Sequence, residues 1–475
     1  MRYFKLSITV TVIMGIGVFL LLSVGRFKHI FNNPPGEDSD VTYDEFALNK
    51  IMVKKMGDVY LESGERILKE NLPAENLSYD LSQSLGNIFS YIDPMTNVNA
   101  LDETLYGQVQ IYTSGLYKKN KADNFRGADV ILTICSDYQI KMFQLLEGTG
   151  GQAILINYKT GDILAAVAKS KKYSLYDCTE IQNYETDQNG KIKYDFYSCN
   201  SLTSFPIYPG STIKPLIAIS ILNTDGGDGL LEYSYQCDSG TSEMGREKHY
   251  SMTCYRGVGH GTITLQEALS KSCNKFLLNY CYDNNISKEQ VIKNMEGLGL
   301  GGSNDNHLTS FYMRTGVYCI DENFSFHMAG IGEGDCRIPL LGIATAYCGL
   351  ANKGIVAKPR FVKAYKDNEE YINLNTEKTR ITTEEYAVLL SNMLRETTVS
   401  GTGRQLAFLN DRLQLSCKTG SAEYDENNTH KLCISYSNNE DFPYLIAVDI
   451  SELQGQALDF TEAMWEYVLL QNEGE

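Results

Sequence analysis

Apolar and polar residues alternate in short runs over most of the chain after residue 128. The apolar runs 153–156 and 163–167 flank the polar stretch 159–162, and this arrangement predicts a β-hairpin. The same pattern predicts strands over 413–417, 431–437 and 444–450, and helices over 43–56, 81–92 and 457–470. Interspersed strands and helices indicate an α/β (α+β) fold. The only tryptophan, Trp465, lies on the last predicted helix and is expected in the core.

The longest stretch without a charged residue lies near the N-terminus, from Leu6 to Gly25. Its twenty residues, at about 1.5 Å per residue, would span roughly 30 Å as a helix, which is the thickness of a bilayer core. A cleaved signal peptide is the alternative, but its apolar region is usually only about 7–15 residues long. We therefore expect an uncleaved transmembrane anchor at 6–25, preceded by a short tail at 1–5 and followed by a polar linker.

A Ser-x-x-Lys motif is formed by Ser211 and Lys214. Pro215 indicates that a helix starts close to Ser211, because proline is tolerated in a first turn whose backbone N–H groups lack partners. Side chains three residues apart lie on one face of a helix, so the lysine amine can take the proton of the serine hydroxyl. Ser211 is therefore the candidate nucleophile, and Lys214 is the candidate base.

Two further motifs follow along the chain. Ser272-Cys273-Asn274 is a Ser-x-Asn sequence, and a capping box at Thr264 and Glu267 predicts a helix that ends close to it. Lys418-Thr419-Gly420 is a Lys-Thr-Gly sequence and is followed by Ser421. Similar short sequences occur elsewhere, at 159–161, 198–200, 272–275 and 437–439. Only the combination of Ser211, Ser272 and Lys418 places the motifs in the order nucleophile, Ser-x-Asn and Lys-Thr-Gly.

This ordered set resembles the motifs of the penicillin-binding transpeptidases and serine β-lactamases. Further similar segments lie at 129–134, 151–167, 260–265, 330–340, 350–354 and 401–404, so the resemblance covers roughly 129–475. The segments 56–64 and 432–436 depart from the family pattern. The resemblance is to class B penicillin-binding proteins, and it implies a central antiparallel sheet flanked by helices. It also implies a linker and small pedestal domain at 26–128 and a transpeptidase domain at 129–475.

The resemblance also assigns roles to residues of this chain. Ser211 would attack the carbonyl between two terminal D-alanines of a peptidoglycan stem peptide after Lys214 takes its proton. Ser272 would relay that proton to the leaving amine, and Asn274 would hold the substrate backbone. Lys418 would offer positive charge to the substrate carboxylate. An amine of a neighbouring peptidoglycan strand would then take the acyl group, and this forms the cross-link.

The rest of the implied site binds substrate. Thr419, Gly420 and Ser421 would lie along the substrate, and the backbone N–H groups of Ser211 and Ser421 would form the oxyanion hole. A β-lactam resembles the D-alanyl pair, so it should acylate Ser211 and remain bound. No metal or other cofactor is expected for this chemistry.

The net charge of the chain limits the classes of partner that it can bind. After the first 28 residues the chain holds 38 of its 42 basic residues against 59 acidic residues, which argues against nucleic acid. The resemblance implies stem peptides and β-lactam antibiotics as ligands. It also implies a bacterial cell membrane location through 6–25, with the catalytic domain on the extracytoplasmic side. A polytopic membrane glycosyltransferase is a further expected partner.

Twelve cysteines are present, but none forms a Cys-x-x-Cys pair, so a zinc site is not expected. In an oxidising environment Cys237 could bridge to Cys254, and Cys178 to Cys199. The alternative is that many of the thiols are buried and reduced. His260 is expected to be a turn or packing residue, because lysine already supplies the base.

Other functions remain open. A D,D-carboxypeptidase or a β-lactamase would use water as the acceptor, but the sequence offers no clear residue to activate it. A β-lactam sensor would need a signalling domain, for which the predicted tail at 1–5 has no room. A non-catalytic scaffold of a cell-wall complex is the last alternative, and the complete motif set argues against it. The sequence does not separate roles in elongation, division and sporulation.

Overall fold

The computed structural model describes residues 58–69, 72–74, 76–86, 129–147, 151–169, 206–244, 250–300, 330–333, 336–367, 370–425, 428–450 and 456–472. The predicted tail and anchor, the helix predicted over 43–56, most of the pedestal region, Cys178 and Cys199 lie outside these residues. Within them, no helix combines the length and the apolar character that crossing a membrane requires.

The structure consists of short helices and strands in alternation. The helices are α1 (Tyr79–Gly86), α2 (Ser136–Leu145), α3 (Lys214–Leu222), α4 (Gly229–Glu232), α5 (Leu265–Ser270), α6 (Phe276–Asp283), α7 (Lys288–Gly297), α8 (Leu340–Ala351), α9 (Glu384–Val399), α10 (Asn410–Leu413) and α11 (Ala457–Asn472). The strands are β1 (Val59–Tyr60), β2 (Arg66–Lys69), β3 (Leu72–Pro73), β4 (Asp129–Leu132), β5 (Gly151–Asn157), β6 (Ile163–Lys169), β7 (Pro206–Ile207), β8 (Tyr235–Cys237), β9 (Thr241–Met244), β10 (Tyr250–Thr253), β11 (Gly261–Ile263), β12 (Ile338–Pro339), β13 (Ile355–Ala357), β14 (Val362–Asp367), β15 (Glu370–Asn373), β16 (Lys378–Arg380), β17 (Ser416–Asp425), β18 (Asn428–Tyr436) and β19 (Tyr444–Ile450).

A five-stranded antiparallel sheet forms the centre of the fold, in the order β17-β18-β19-β5-β6. The hairpin predicted from the apolar runs is confirmed as β5 and β6. At its turn, Gly161 has φ +77°, and a Cβ there would lie 2.4 Å from the backbone oxygen of Lys358, so only glycine fits. The strand predicted over 444–450 is confirmed as β19, while β18 starts three residues before its predicted position.

The two faces of this sheet carry different helices. Leu432 and Ile434 of β18 belong to a large core that also contains residues of α3, α8 and α9. Cys433, between them, belongs to a second core on the opposite face with residues of α2 and α11, including the fully buried Trp465. The alternation follows from the two-residue period of a strand. Lys418 pairs directly with Ile434, so it lies on the face that packs against α3.

A second sheet joins the early strands β1, β2 and β3 to strands from later in the chain. Its order is β15-β14-β4-β1-β2-β3, with β1 parallel to β4 and antiparallel to β2. Buried side chains of this part, among them Val59, Leu68 and Leu81, belong to the same large core as α3. Residues 58–86, as far as they are described, therefore pack on the rest of the fold.

The structure corrects the prediction of a strand over 413–417. Leu413 ends the short helix α10, and Gln414 follows with φ +51°, a left-handed conformation that stops the helix. The side-chain oxygen of Asn410 accepts a hydrogen bond of 2.8 Å from the N–H of Leu415. The strand β17 therefore begins only at Ser416, because long-range pairing and this local cap override the apolar pattern.

Trp465 is one of the buried contacts between α11 and the sheet. It is fully buried, and its indole N–H donates to the hydroxyl of Ser435 at 2.8 Å. We predict that Trp465→Ala lowers the free energy of unfolding by about 3–5 kcal/mol, because it leaves a large cavity. Leu470→Ala, on the same helix but 64% exposed, should change it by less than about 0.5 kcal/mol. Far-UV circular dichroism during guanidinium denaturation measures both, and equal effects would contradict the packing.

Candidate active site

Ser211 lies at the start of a helix, as the sequence predicts. A 3-10 turn, Gly210–Ile213, leads into α3, and Pro215 occupies its first turn. Gly210 has φ +51°, and a Cβ on it would lie 2.6 Å from the backbone oxygen of Ser421. The absence of a side chain at Gly210 therefore lets the segment that carries Ser211 lie directly against β17.

Lys214 is buried beneath this serine, with 2% of its surface exposed. Its Nζ lies 2.9 Å from the hydroxyl oxygen of Ser211, 3.0 Å from the backbone oxygen of Ser272 and 2.6 Å from Oδ1 of Asn274. The structure thus confirms that the residues at 211 and 214 are in contact. It also brings the Ser-x-Asn motif, about sixty residues further along the chain, onto the same amine.

The Ser-x-Asn motif follows α5 as predicted. In the predicted capping box, the carboxylate of Glu267 accepts hydrogen bonds from the backbone N–H and the hydroxyl of Thr264, at 2.7 and 2.9 Å. Ser272 has φ +58°, which is unusual for a residue other than glycine and marks a tight turn. The amide nitrogen of Asn274 donates to the backbone oxygen of Thr253 at 3.0 Å, so its Oδ1 must face Lys214.

Lys418 completes the group from the edge of the central sheet. It is fully buried, and its Nζ donates to the hydroxyl of Ser272 and to the backbone oxygen of Thr419, both at 2.9 Å. Ser272 therefore contacts both lysines, through its backbone oxygen with Lys214 and through its side chain with Lys418. Three segments that are remote in sequence meet in one hydrogen-bonded group.

Burial changes the proton affinity of both amines. Desolvation lowers the pKa of Lys214 to about 8, because the charged form loses its hydration. Desolvation, followed by repulsion from Lys214, lowers the pKa of Lys418 to about 7. Repulsion from Lys214 thus contributes to the lowered pKa of Lys418, so the protonation of one amine affects that of the other.

The residues after Lys418 continue the edge strand β17. Thr419 shares a hydrogen bond of 2.6 Å with the hydroxyl of Thr402. Gly420 faces the turn before α3, and a Cβ on it would lie 3.0 Å from the backbone oxygen of Pro209. Ser421 is exposed, and its hydroxyl accepts from Nζ of Lys431 at 3.2 Å. Sequence reasoning missed Thr402 and Lys431, whose positions depend on pairing with distant segments.

The competing Ser-x-x-Lys sequence, 272–275, has a structural explanation. Lys275 is fully buried, and it does not form the serine–lysine pair that Ser272 and Lys275 would need. Its Nζ instead donates to the backbone oxygens of Asp238 and Gly240 at 2.9 and 2.8 Å. A third bond of 2.7 Å goes to the hydroxyl of Ser242. Lys275 therefore holds the loop before β9. The competing Lys-Thr-Gly at 159–161 lies in the turn of the β5–β6 hairpin.

One cluster beside the motif was not expected from the sequence. Cys237, Cys254, His260 and Cys273 lie together, with all four ligand atoms within 4.8 Å of one another. The possible disulfide between Cys237 and Cys254 is not formed, because their sulfurs are 3.8 Å apart and a disulfide bond needs about 2.0 Å. All described cysteines except Cys135 are buried, as the reduced-thiol alternative expects. The search for Cys-x-x-Cys missed the cluster because its members are 17, 6 and 13 residues apart.

Comparison with known proteins now identifies the family. The sequence model of the penicillin binding protein transpeptidase domain matches residues 151–463. The chain belongs to this family.

It is 25% identical over 320 residues to the peptidoglycan D,D-transpeptidase MrdA of Acinetobacter baumannii, covering 64% of this chain and 46% of that protein. It is 23% identical over 384 residues to stage V sporulation protein D of Bacillus subtilis, covering 74% and 54%. The chain thus spans about half the length of these relatives.

Solved structures show the same fold. Penicillin-binding protein A from M. tuberculosis, as a ceftriaxone acyl-enzyme complex, has a TM-score of 0.68 at 16% identity, covering 90% of this chain and 99% of that one. The D,D-transpeptidase domain of a peptidoglycan glycosyltransferase from Eggerthella lenta has a TM-score of 0.67 at 19% identity, covering 88% and 99%. The predicted mixed fold, with a central antiparallel sheet flanked by helices, is confirmed as the penicillin-binding transpeptidase fold.

The close approach at Gly210 gives a direct test of the site geometry. Gly210→Ala adds a left-handed alanine and a contact with Ser421, whereas Gly64→Ala adds only the left-handed alanine, since nothing lies within 4 Å of a Cβ there. Left-handed strain costs about 1–2 kcal/mol in both. Overpacking should cost Gly210→Ala about 1–3 kcal/mol more. Denaturation midpoints of the two variants measure the difference, and equal destabilisation would contradict the contact.

Proposed function

We propose that this protein is a serine D,D-transpeptidase that cross-links peptidoglycan stem peptides through an acyl-enzyme on Ser211. The observation that carries the proposal is the hydrogen bond of 2.9 Å between Ser211 and the buried amine of Lys214. MrdA, to which the chain is similar, is named a peptidoglycan D,D-transpeptidase. The structure of penicillin-binding protein A, which has the same fold, is that of a ceftriaxone acyl-enzyme complex. Both findings agree with the chemistry that the described residues allow.

The partners of Lys214 support its role as a base. A neutral amine has two N–H donors and one lone pair. The backbone oxygen of Ser272 and Oδ1 of Asn274 can only accept, so they take the two donors. The hydroxyl of Ser211 can donate, so it faces the lone pair. Neutral Lys214 is therefore fully satisfied and is placed to take the serine proton, and its lowered pKa keeps the neutral form accessible near neutral pH.

The acylation step then follows from these contacts. The oxygen of Ser211 forms a bond to the carbonyl carbon of the penultimate D-alanine, and its proton passes to Lys214. The bond from that carbon to the leaving D-alanine nitrogen breaks. The hydroxyl of Ser272 gives a proton to that nitrogen and regains one from the lysine pair, which took up the Ser211 proton, so that D-alanine leaves as an amine. The acceptor amine of a second stem peptide then attacks the acyl-enzyme, the same proton transfers run in reverse, and Ser211 is released as the cross-link forms.

Charge stabilisation in this reaction is assigned to the edge of the sheet. The backbone N–H groups of Ser211 and Ser421 serve as the oxyanion hole, and the close approach of Gly210 to Ser421 supports this pairing. Such a donor typically lowers the barrier by about 3–4 kcal/mol. When the proton that the two lysines share is on Lys418, its ammonium has three donors, and the described residues supply two acceptors, Ser272 and Thr419. The third donor, with the Thr419 hydroxyl, binds the substrate carboxylate.

The organisation of the whole chain is part of the same proposal. Residues 1–5 form a tail, 6–25 a single membrane anchor, 26–128 a linker and small pedestal domain, and 129–475 the transpeptidase domain. The catalytic domain lies on the extracytoplasmic side of a bacterial membrane, where stem peptides and β-lactams reach it. A polytopic membrane glycosyltransferase is the proposed partner. The twenty uncharged residues from Leu6 to Gly25 support the anchor, and similarity to class B relatives supports the rest.

A labelled penicillin tests the nucleophile. We predict that the full chain gains the mass of one penicillin, and that peptide mapping places the adduct on Ser211. Ser211→Ala should give no adduct, because no other hydroxyl contacts Lys214 among the described residues. Ser63→Ala, in the exposed turn between β1 and β2, is the matched control and should acylate as the unchanged chain does. An adduct that persists in Ser211→Ala would contradict the proposal.

The same experiment separates the alternative enzymes. A transpeptidase or carboxypeptidase keeps the penicilloyl group for long times, whereas a β-lactamase releases hydrolysed penicillin rapidly. Incubation with a stem peptide and an acceptor amine then distinguishes cross-linking from hydrolysis of the terminal D-alanine. Rapid penicillin turnover would overturn the transpeptidase assignment. Normal growth of a dependent strain that carries only Ser211→Ala would favour the non-catalytic scaffold.

A further inference from the structure

A set of sulfur and nitrogen ligands lies directly behind the Ser-x-Asn motif. Cys237 ends β8, Cys254 follows β10, His260 precedes β11, and Cys273 lies between Ser272 and Asn274. The three cysteines are 1–3% exposed. The four ligand atoms lie within 4.8 Å of one another, and this geometry brings together residues from four separate segments.

Four of the six distances within the cluster are close to those of a tetrahedral ion. Sulfur–sulfur distances are 3.8 Å for Cys237 and Cys254, 3.7 Å for Cys254 and Cys273, and 3.6 Å for Cys273 and Cys237. With metal–sulfur bonds of about 2.3 Å and tetrahedral angles, zinc thiolates would lie about 3.8 Å apart. Nδ1 of His260 lies 3.4 Å from the sulfur of Cys237, where a tetrahedral zinc site would give about 3.6 Å.

We propose that Cys237, Cys254, His260 and Cys273 bind one Zn²⁺ as a closed structural site that holds the catalytic Ser-x-Asn loop in place. Three cysteines and one histidine are a ligand set that structural zinc uses. Binding is ligand exchange: the three thiols release their protons to solvent, the ion releases its water, and nothing is oxidised or reduced. Thiolates on different irons of an iron–sulfur cluster would lie farther apart, so the spacing favours a single ion.

The surrounding structure shows why this region needs such a site. Cys237 and His260 flank a pairing of only three residues per strand, β8 with β11, and the neighbouring pair β9 and β10 has four. The three cysteines belong to the large core, whereas Met252 of β10 packs in a separate small cluster with Leu278. Short strand pairs that have little apolar core of their own gain stability from a metal or a disulfide. A single ion would join all three of the cysteine-bearing segments.

The position of Cys273 couples this site to catalysis. Its two neighbours supply the acceptors of Lys214, which are the backbone oxygen of Ser272 and Oδ1 of Asn274. Ser272 also adopts φ +58°, a conformation that needs support from its surroundings. An ion bound to Cys273 would fix the turn from behind. Loss of the ion should therefore displace both acceptors and slow acylation of Ser211, while the nucleophile itself stays unchanged.

Metal analysis of the full chain is the first test. Elemental analysis after dialysis against metal-free buffer should find about one zinc ion per chain. Exchange for Co²⁺ should give the visible bands of a tetrahedral site and a near-ultraviolet thiolate-to-cobalt charge-transfer band. These readouts do not depend on the proposed enzymatic function. A chain that binds no zinc after reconstitution and gives no cobalt bands would overturn the proposal. Peptide mapping that finds Cys237 and Cys254 joined by a disulfide in the native chain would overturn it as well.

Paired alanine variants separate the site from ordinary packing. Cys254→Ala removes a ligand that is not adjacent to a catalytic residue, and it should lose the zinc and the cobalt charge-transfer band. Cys281→Ala removes an equally buried thiol on α6, outside the cluster, and should retain both. Equal metal content in the two variants would contradict the assignment. If Cys254→Ala does not fold, titration of the unchanged chain with a zinc chelator, followed by zinc addition, makes the same comparison.

Acylation by a labelled penicillin tests the coupling, and this part rests on the proposed function. Removal of zinc should slow acylation by about 100-fold, the effect expected when reacting groups are displaced by about 1 Å, and zinc addition should restore it. Zinc that is bound but has no effect on acylation would confine its role to stability and would overturn the coupling. A chain that binds zinc but is never acylated would instead count against the proposed function.

Discussion

The burial of two lysine side chains next to one another is the constraint on which the rest of the site depends. Lys214 and Lys418 are both inside the fold, where burial lowers the pKa of each amine and repulsion from Lys214 lowers that of Lys418 further. Such an arrangement is stable only if every donor has an acceptor. Ser272 supplies acceptors to both amines, and Asn274 supplies another to Lys214. In the proposed mechanism, the lone pair that remains on neutral Lys214 faces the hydroxyl of Ser211, so the hydrogen bonds that satisfy the buried amine also prepare the nucleophile.

The fold brings these groups together through close backbone contacts. The central sheet presents Lys418 on the face that packs against α3, and α3 carries Lys214 at its first residue. Gly210 and Gly420 remove the side chains that would separate this helix start from the edge strand. Ser272 reaches the same point from a tight turn after α5, and the cysteine cluster lies behind that turn. The three cysteines belong to the large core that also contains α3, and an ion there would join the turn of Ser272 to the segments that follow β8 and β10.

The parts of the site that short-range signals encode could be predicted from the sequence. Ser211 and Lys214 are three residues apart on a helix whose start Pro215 marks, and the β5–β6 hairpin follows from two apolar runs around a polar turn. The order of the motifs then identified Lys418 among competing sequences. Long-range contacts could not be predicted in the same way. Thr402 meets Thr419 only in the fold. The strand start at Ser416 depends on the left-handed Gln414, and the cysteine cluster depends on four separate segments.

The central claim is that one of the two buried lysines is neutral near physiological pH. Nuclear magnetic resonance titration of the full chain with isotope-labelled lysine side chains measures this directly. Two lysine signals should titrate as a coupled pair with apparent pKa values between about 7 and about 8, and one should disappear in Lys214→Ala. If every lysine signal titrates near the ordinary value of about 10.4, Lys214 cannot accept the proton of Ser211 and the account is wrong.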